Sequence, residues 1–262
     1  MPDLGVGGQA VIEGVMMRSK DRIATAVRIP SGEILIKSEE YISLSKRHKI
    51  LGWPIIRGVI SFFEMLIIGI KTLNFSADIT VKEMEKIEAA AAGQKYIERS
   101  QKSSNLVLAA TAVFALGLGI VIFFFVPLAI SSLLSIERDA VAFNLTAGAI
   151  RVILFLIYVW GISLFGEFKK VFQYHGAEHK SIFAYEEGEE LTVDNVSRYT
   201  TFHPRCGTSF ILIVALFAIL IYSFSDSIYY LIVGTPPALI KRFLLHFALL
   251  PLVAGGAYEL LK

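Results

Sequence analysis

The chain has 262 residues, a formal net charge of +2 and a mean hydropathy of +0.61, with 55% hydrophobic and 18% charged residues. Soluble domains sit near about 45–50% apolar even with glycine counted, so this balance predicts a polytopic membrane protein that contacts membrane lipids. The near-neutral charge excludes a nucleic-acid binder, and a single cysteine excludes an internal disulfide.

In chain order, Met1-Pro-Asp-Leu-Gly lacks a basic stretch followed by an apolar one, so no cleaved signal peptide is expected. Residues 5–20 hold four glycines around one carboxylate, Glu13, and one guanidinium, Arg18. The segment is too short and glycine-rich to cross a membrane. It reads as a bulged strand whose glycines let two backbones approach; the alternative is a loop presenting Glu13 or Arg18 to a site. Residues 22–38 predict a β-hairpin, with Pro30-Ser31-Gly32 as the turn between β-rich runs. Residues 1–54 are therefore expected to form a small cytoplasmic β-containing domain.

Lys46-Arg47-His48-Lys49 before Trp53 suits an anionic lipid surface, with His48 solvated among cations. Residues 55–75 are apolar but carry Arg57, Glu64 and Lys71, which predicts an interfacial or re-entrant helix. Residues 76–104 predict a polar cytoplasmic helix. Four spans follow within 105–262, at 105–134 (interrupted by Pro127), 143–165 (with Arg151), 208–225 and 239–261 (with His246 and Pro251). Arg151 is expected to face protein or to snorkel outward. The fold class is thus membrane α-helical with about four transmembrane helices and a β-hairpin domain at the N-terminus. Lys and Arg number eight in 1–54, five in 76–104 and five in 166–207, against one in 135–142 and none in 226–238. The positive-inside rule then puts both termini in the cytoplasm of a multi-pass inner-membrane protein.

The loop 166–207 concentrates the chemistry. Tyr174-His-Gly-Ala-Glu-His-Lys180 and His203-Pro-Arg-Cys-Gly207 hold three of the five histidines and the cysteine. His175 and His179 share a helical face with Glu178 beside them, the H-x-x-E-H order of a metal site with a carboxylate base. His203 and Cys206 add the imidazole and thiolate that zinc prefers. All four ligands together make a closed, structural site; if one stays away, a water takes its place and Glu178 can activate it. Glu186 lies on the same stripe, but about 10 Å beyond His179, too far to share the ion. The acidic run Glu186, Glu187, Glu189 and Glu190 reads as a solvated turn.

The strings GGQAVIEGVMMR, YHGAEHK and HPRCGTSF together resemble the YqhQ-like bacterial membrane proteins, described as metal-dependent enzymes, over nearly the whole chain. The resemblance implies a metal-dependent activity without naming a substrate. It makes Glu13, His175, Glu178, His179, His203 and Cys206 site candidates and implies that the glycine-rich segment meets the histidines. Members of that group are expected to continue into a polar tail, whereas this sequence ends at Glu259-Leu-Leu-Lys262. Three functions stay open: a membrane hydrolase with a zinc-activated water and Glu178, with Glu13, as catalytic carboxylates; a scaffold or assembly factor with a structural zinc; and a transporter using Arg57, Glu64, Arg151 and His246.

Overall fold

The computed structural model describes residues 6–47, 50–96, 101–136, 139–203 and 207–261. The chain divides into two compact units, Met1–Glu98 with Ile162–Cys206, and Arg99–Gly161 with Gly207–Lys262.

The first unit is built on an antiparallel meander, β1 (Gly7–Val11), β2 (Gly14–Arg18), β3 (Arg22–Arg28) and β4 (Ile34–Glu40), in that spatial order. The expected 22–38 hairpin is β3–β4. The glycine-rich segment is not one bulged strand but a second hairpin in continuous register, Gly7 opposite Arg18 through Val11 opposite Gly14. Its two-residue turn is Ile12-Glu13, which carries no glycine or asparagine, so the usual hairpin signal is missing. Glu13 itself takes the left-handed conformation, φ +51°. Gly14 is needed next to it, because any Cβ there would run into the Ala26 backbone of β3.

Side chains alternate across this sheet. On one face Val11, Met16, Ile23 and Val27 pack with Ile68 of helix α2 (Ile56–Ala91). Polar bonds lock that packing: Gln9 donates to the Gly69 carbonyl and the Thr72 hydroxyl at 3.2 and 3.0 Å, and the Ile12 N–H donates to Ser76 Oγ at 3.1 Å. Glu64 is buried and caps the one-turn helix α1 (Leu44–Arg47), accepting from Ser43 Oγ at 2.8 Å and the Leu44 N–H at 2.6 Å. α2 runs without interruption past Phe75-Ser76, where the composition turns from apolar to charged.

The second unit holds four helices long and apolar enough to cross a membrane, Ala110–Leu133, Ala140–Ser163, Ile213–Val233 and Leu239–Leu260. The first is α3 (Gln101–Ile120), a π-helical turn (Val121–Phe125) and α4 (Val126–Leu133); the others are α5 (Ala140–Ser163), α8 (Gly207–Val233) and α9 (Leu239–Leu261). Pro127 lacks the N–H that would bond the Phe123 carbonyl four residues back. Arg151 Nε donates to that carbonyl instead, at 2.8 Å, with its guanidinium 5.0 Å from the centre of the Phe124 ring. The proline and the expected protein-facing arginine are thus one feature.

Deep in this unit Asp226 of α8 meets three donors. Arg242 Nε lies 2.9 Å away and His246 Nε2 3.0 Å away, both on α9, and Asn144 Nδ2 of α5 donates at 3.0 Å. Asp226 and Arg242 are 1% exposed and His246 is fully buried. The Arg242 guanidinium sits 3.6 Å over Phe143, and Tyr222 stacks on His246 at 4.1 Å. The cluster ties three of the four helices together.

Candidate metal centre

The site is assembled on α6 (Gly166–Glu186), which packs on the β1–β2 hairpin, and on the return loop after α7 (Val193–Ser197). Thr192 starts α7 by accepting the Asn195 N–H. The loop then runs back along α6: Lys180 Nζ donates to the Ser197 carbonyl at 2.8 Å, and Phe183 stacks on Tyr199 at 6.1 Å. Gly176 makes room for it, since a Cβ there would lie 3.0 Å from Thr201 Cγ2.

His175, Glu178 and His179 each offer a ligand atom within 4.8 Å of the others. Glu178 is 4% exposed and its Oε2 lies 3.0 Å from His175 Nδ1. His179 Nδ1 lies 2.5 Å from the Thr201 carbonyl oxygen, which fixes that nitrogen as the protonated one. Each histidine is therefore oriented through Nδ1 by an oxygen, one a carboxylate and one a carbonyl, the arrangement that presents Nε2 to a metal. His203 comes alongside, its ring 5.8 Å from that of His179 and 4.5 Å from Phe183. Burial holds the His203 imidazole below its usual range; the neighbouring His179 pushes the same way and Glu178 opposes it. Cys206 lies outside the described residues, as does His48.

The glycine-rich hairpin does meet α6, but at two levels. Gly8 sits against Glu178: a Cβ there would come 2.6 Å from the Met16 carbonyl oxygen and 3.0 Å from Glu178 Oε1. Glu13, at the hairpin tip, reaches the turn of α6 before His175. It accepts from Lys170 Nζ at 2.6 Å and from Tyr174 Oη at 3.4 Å. That carboxylate raises the Lys170 ammonium above its usual range, while burial first and then Glu13 raise the Tyr174 phenol. Among the described contacts Glu13 thus braces the hairpin against α6, and Gly8 is the residue that touches Glu178. Gly8→Ala is expected to cost about 1–3 kcal/mol and to lower metal content together, read by thermal unfolding and elemental analysis of one preparation.

Sequence reasoning passed over Thr201, Gly8, Lys170 and Tyr174. It also left Glu186 out, as too far along the helix from His179 to share the ion, but its Oε2 lies 3.6 Å from His203 Nε2. The stripe His175, His179, Glu186 carried the signal. Glu187, Glu189 and Glu190 are exposed, as expected of a solvated turn.

A sheet-backed histidine–carboxylate cluster stands in one chain with four helices long and apolar enough to cross a membrane, the class of a multi-span helical protein with a candidate metal centre. The chain belongs to the family described as "Protein of unknown function (DUF1385)", whose model matches residues 53–262. It is 34% identical over 268 residues to "Uncharacterized protein YqhQ" of Bacillus subtilis (strain 168), covering 98% of this chain and 77% of that protein. This bears out the resemblance read from the three motifs. No solved structure matches the chain.

Proposed function

We propose that the chain is a membrane-embedded, metal-dependent enzyme of hydrolase type, with zinc held by His175 and His179. The observation that carries this is the paired orientation of the two imidazoles, His175 by Glu178 and His179 by the Thr201 carbonyl. The donor set fits the ion. Two nitrogens about 2.1 Å from one zinc lie close together, and His175 and His179 each offer a ring nitrogen within 4.8 Å of the other. His203 or Cys206 supplies a further ligand. Imidazole and thiolate suit zinc and are not what Mg²⁺ or Ca²⁺ select.

A zinc ion there would supply Lewis acidity and ready a water for attack at neutral pH. Glu178 takes the proton from the attacking water. Its Oε2 is engaged with His175, which leaves Oε1, at the Gly8 backbone, to receive it. Thr201 holds His179 in one tautomer, and Glu13 with Lys170 fixes the hairpin that walls the carboxylate. Substitution decides the reading. Glu178→Gln should keep metal and fold and abolish turnover of ester, peptide or phosphoester substrates.

The second reading is a scaffold with a closed zinc site. It is favoured by how deeply Glu178 is committed to His175, as an orienting partner rather than a base. In that case Glu178→Gln changes little, while His179→Ala loses metal and unfolds the unit.

The site belongs to the cytoplasmic side in this proposal, with residues 55–75 in the cytoplasmic leaflet. The three Lys- and Arg-rich segments share that side. Lys241 and Arg242 count against it by position; Arg242 is paired with Asp226 inside the helical unit, while Lys241 is exposed. Lys82→Cys should be shielded from a membrane-impermeant thiol reagent in intact cells and become reactive on lysis. Strong labelling from outside would invert the topology.

A further inference from the structure

The side of the sheet that faces α2 changes character at its last strand. On β1 to β3 it carries Val11, Met16, Ile23 and Val27, which pack with Ile68. β4 runs in register with β3, Leu35 opposite Val27, Lys37 opposite Thr25 and Glu39 opposite Ile23. Strand alternation puts Leu35, Lys37 and Glu39 on that same side, and two of the three are charged. A cleft of about 210 Å³ lies there, between β3–β4 and α2 and wholly within the first unit. Ile23, Ile67, Ile68 and Phe75 form its apolar wall, with Thr25 and Thr72 among them. Lys37, Glu39 and Glu40 of β4 and Lys71 of α2 form its charged wall.

The fold leaves two polar groups of this cleft over. Thr25 is 3% exposed, yet its hydroxyl makes no hydrogen bond among the described residues. Thr72, by contrast, donates to the Ile68 carbonyl at 2.9 Å and accepts from Gln9. Lys71 makes no ion pair among the described residues. Lys37 is engaged, with Nζ 2.5 Å from Glu39 Oε1 and 5.0 Å from the centre of the Phe75 ring. The Lys37 hydrogen bond holds the Glu39 carboxyl below its usual range; burial opposes it, and the charges of Lys37 and Lys71 add to it. Inward-facing charges on an edge strand also discourage edge-to-edge pairing. That role calls for neither a cleft nor a buried hydroxyl without an acceptor.

We propose that this cleft binds a small zwitterion with an apolar body, of the class of the apolar α-amino acids. Two lysines face two glutamates across the charged wall. A ligand of one sign leaves half of that wall facing its like, whereas a zwitterion meets both halves. Lys71 and the Thr25 hydroxyl take the carboxylate, and Glu39 and Glu40 take the ammonium. Ile23, Ile68 and Phe75 receive the side chain. The volume is below the about 300–1,000 Å³ of pockets for drug-sized ligands, which leaves no room for a lipid headgroup together with its acyl chains. The site stands apart from the histidine cluster and does not depend on how that cluster is read.

The test is equilibrium dialysis of the full-length chain in detergent against L-leucine and L-phenylalanine. Two analogues of leucine run beside them: 4-methylpentanoate, which lacks the ammonium, and 3-methylbutylamine, which lacks the carboxylate. At least one of the amino acids should bind saturably, and both analogues should bind about 10–100-fold more weakly than leucine or not at all. Lys71→Gln should weaken binding by about the same factor with the melting temperature of the free protein unchanged, since Lys71 is exposed. Thr25→Val keeps the shape of the wall, removes only the hydroxyl and should also weaken binding. No saturable binding of either amino acid overturns the proposal. So does 4-methylpentanoate or 3-methylbutylamine binding as tightly as leucine, which makes the cleft a site for one sign of charge. Binding that survives both Lys71→Gln and Thr25→Val belongs elsewhere, chelation at the histidine cluster included, and overturns it too.

Discussion

Asp226→Ala should lower stability by about 3–5 kcal/mol, the cost of breaking a buried ion pair by removing one partner. Asp226 accepts from Asn144 and faces Arg242 and His246. Its removal takes the paired carboxylate from an Arg242 guanidinium that is 1% exposed. The effect separates from simple cavity formation by a second substitution. Asp226→Leu combined with Arg242→Met removes both charges and should recover most of the loss, because the cost lies in breaking the buried pair from one side rather than in losing it whole. Asn144→Ala leaves the ion pair standing and should cost only about 1–2 kcal/mol. Thermal unfolding in detergent, followed by tryptophan fluorescence, measures all three. If Asp226→Ala unfolds within about 1 kcal/mol of the wild type, the cluster is hydrated and does not pin the helices.

Glu178→Gln should reduce turnover by a factor of about 10²–10⁴, the usual contribution of a positioned base, with zinc content and melting temperature unchanged. Glutamine has the same shape and retains an oxygen for His175 Nδ1, so the imidazole stays oriented. What it lacks is the capacity to take a proton at Oε1 beside Gly8. The pair of readouts is what makes the substitution informative. Lost turnover with retained metal assigns Glu178 as the base; lost metal shows that the ion needs its negative charge; no change in either is the outcome of the scaffold reading, in which Glu178 only orients His175.

How much of this was written in the sequence varies by element. The four membrane-length helices were legible because about 20 consecutive apolar residues match the thickness of a bilayer and exceed what a buried core helix needs. The β3–β4 hairpin was legible because Pro30-Ser31-Gly32 is turn chemistry. The β1–β2 hairpin was hidden for the opposite reason. Its turn residues are Ile12 and Glu13, and Glu13 is held at positive φ by tertiary support, with Arg28 N–H on its carbonyl and Lys170 on its carboxylate. The H-x-x-E-H spacing announced a shared face for His175 and His179, since helical period is local information. That Thr201 would orient His179 was not legible, because it depends on a loop folding back across α6. Glu186 shows the limit of stripe arithmetic: distance along the helix excluded it from His175 but said nothing of His203 arriving from elsewhere. In α2 the shift from apolar to charged composition after Phe75 suggested two segments, while the helix runs through both without a break.

Zinc content of the purified full-length chain tests the central claim most directly, measured by elemental analysis for the wild type beside His175→Ala with His179→Ala. The account predicts about one equivalent per chain in the wild type and its loss in the double variant. A double variant that keeps full stoichiometric metal would contradict it, whether the site is read as catalytic or as structural.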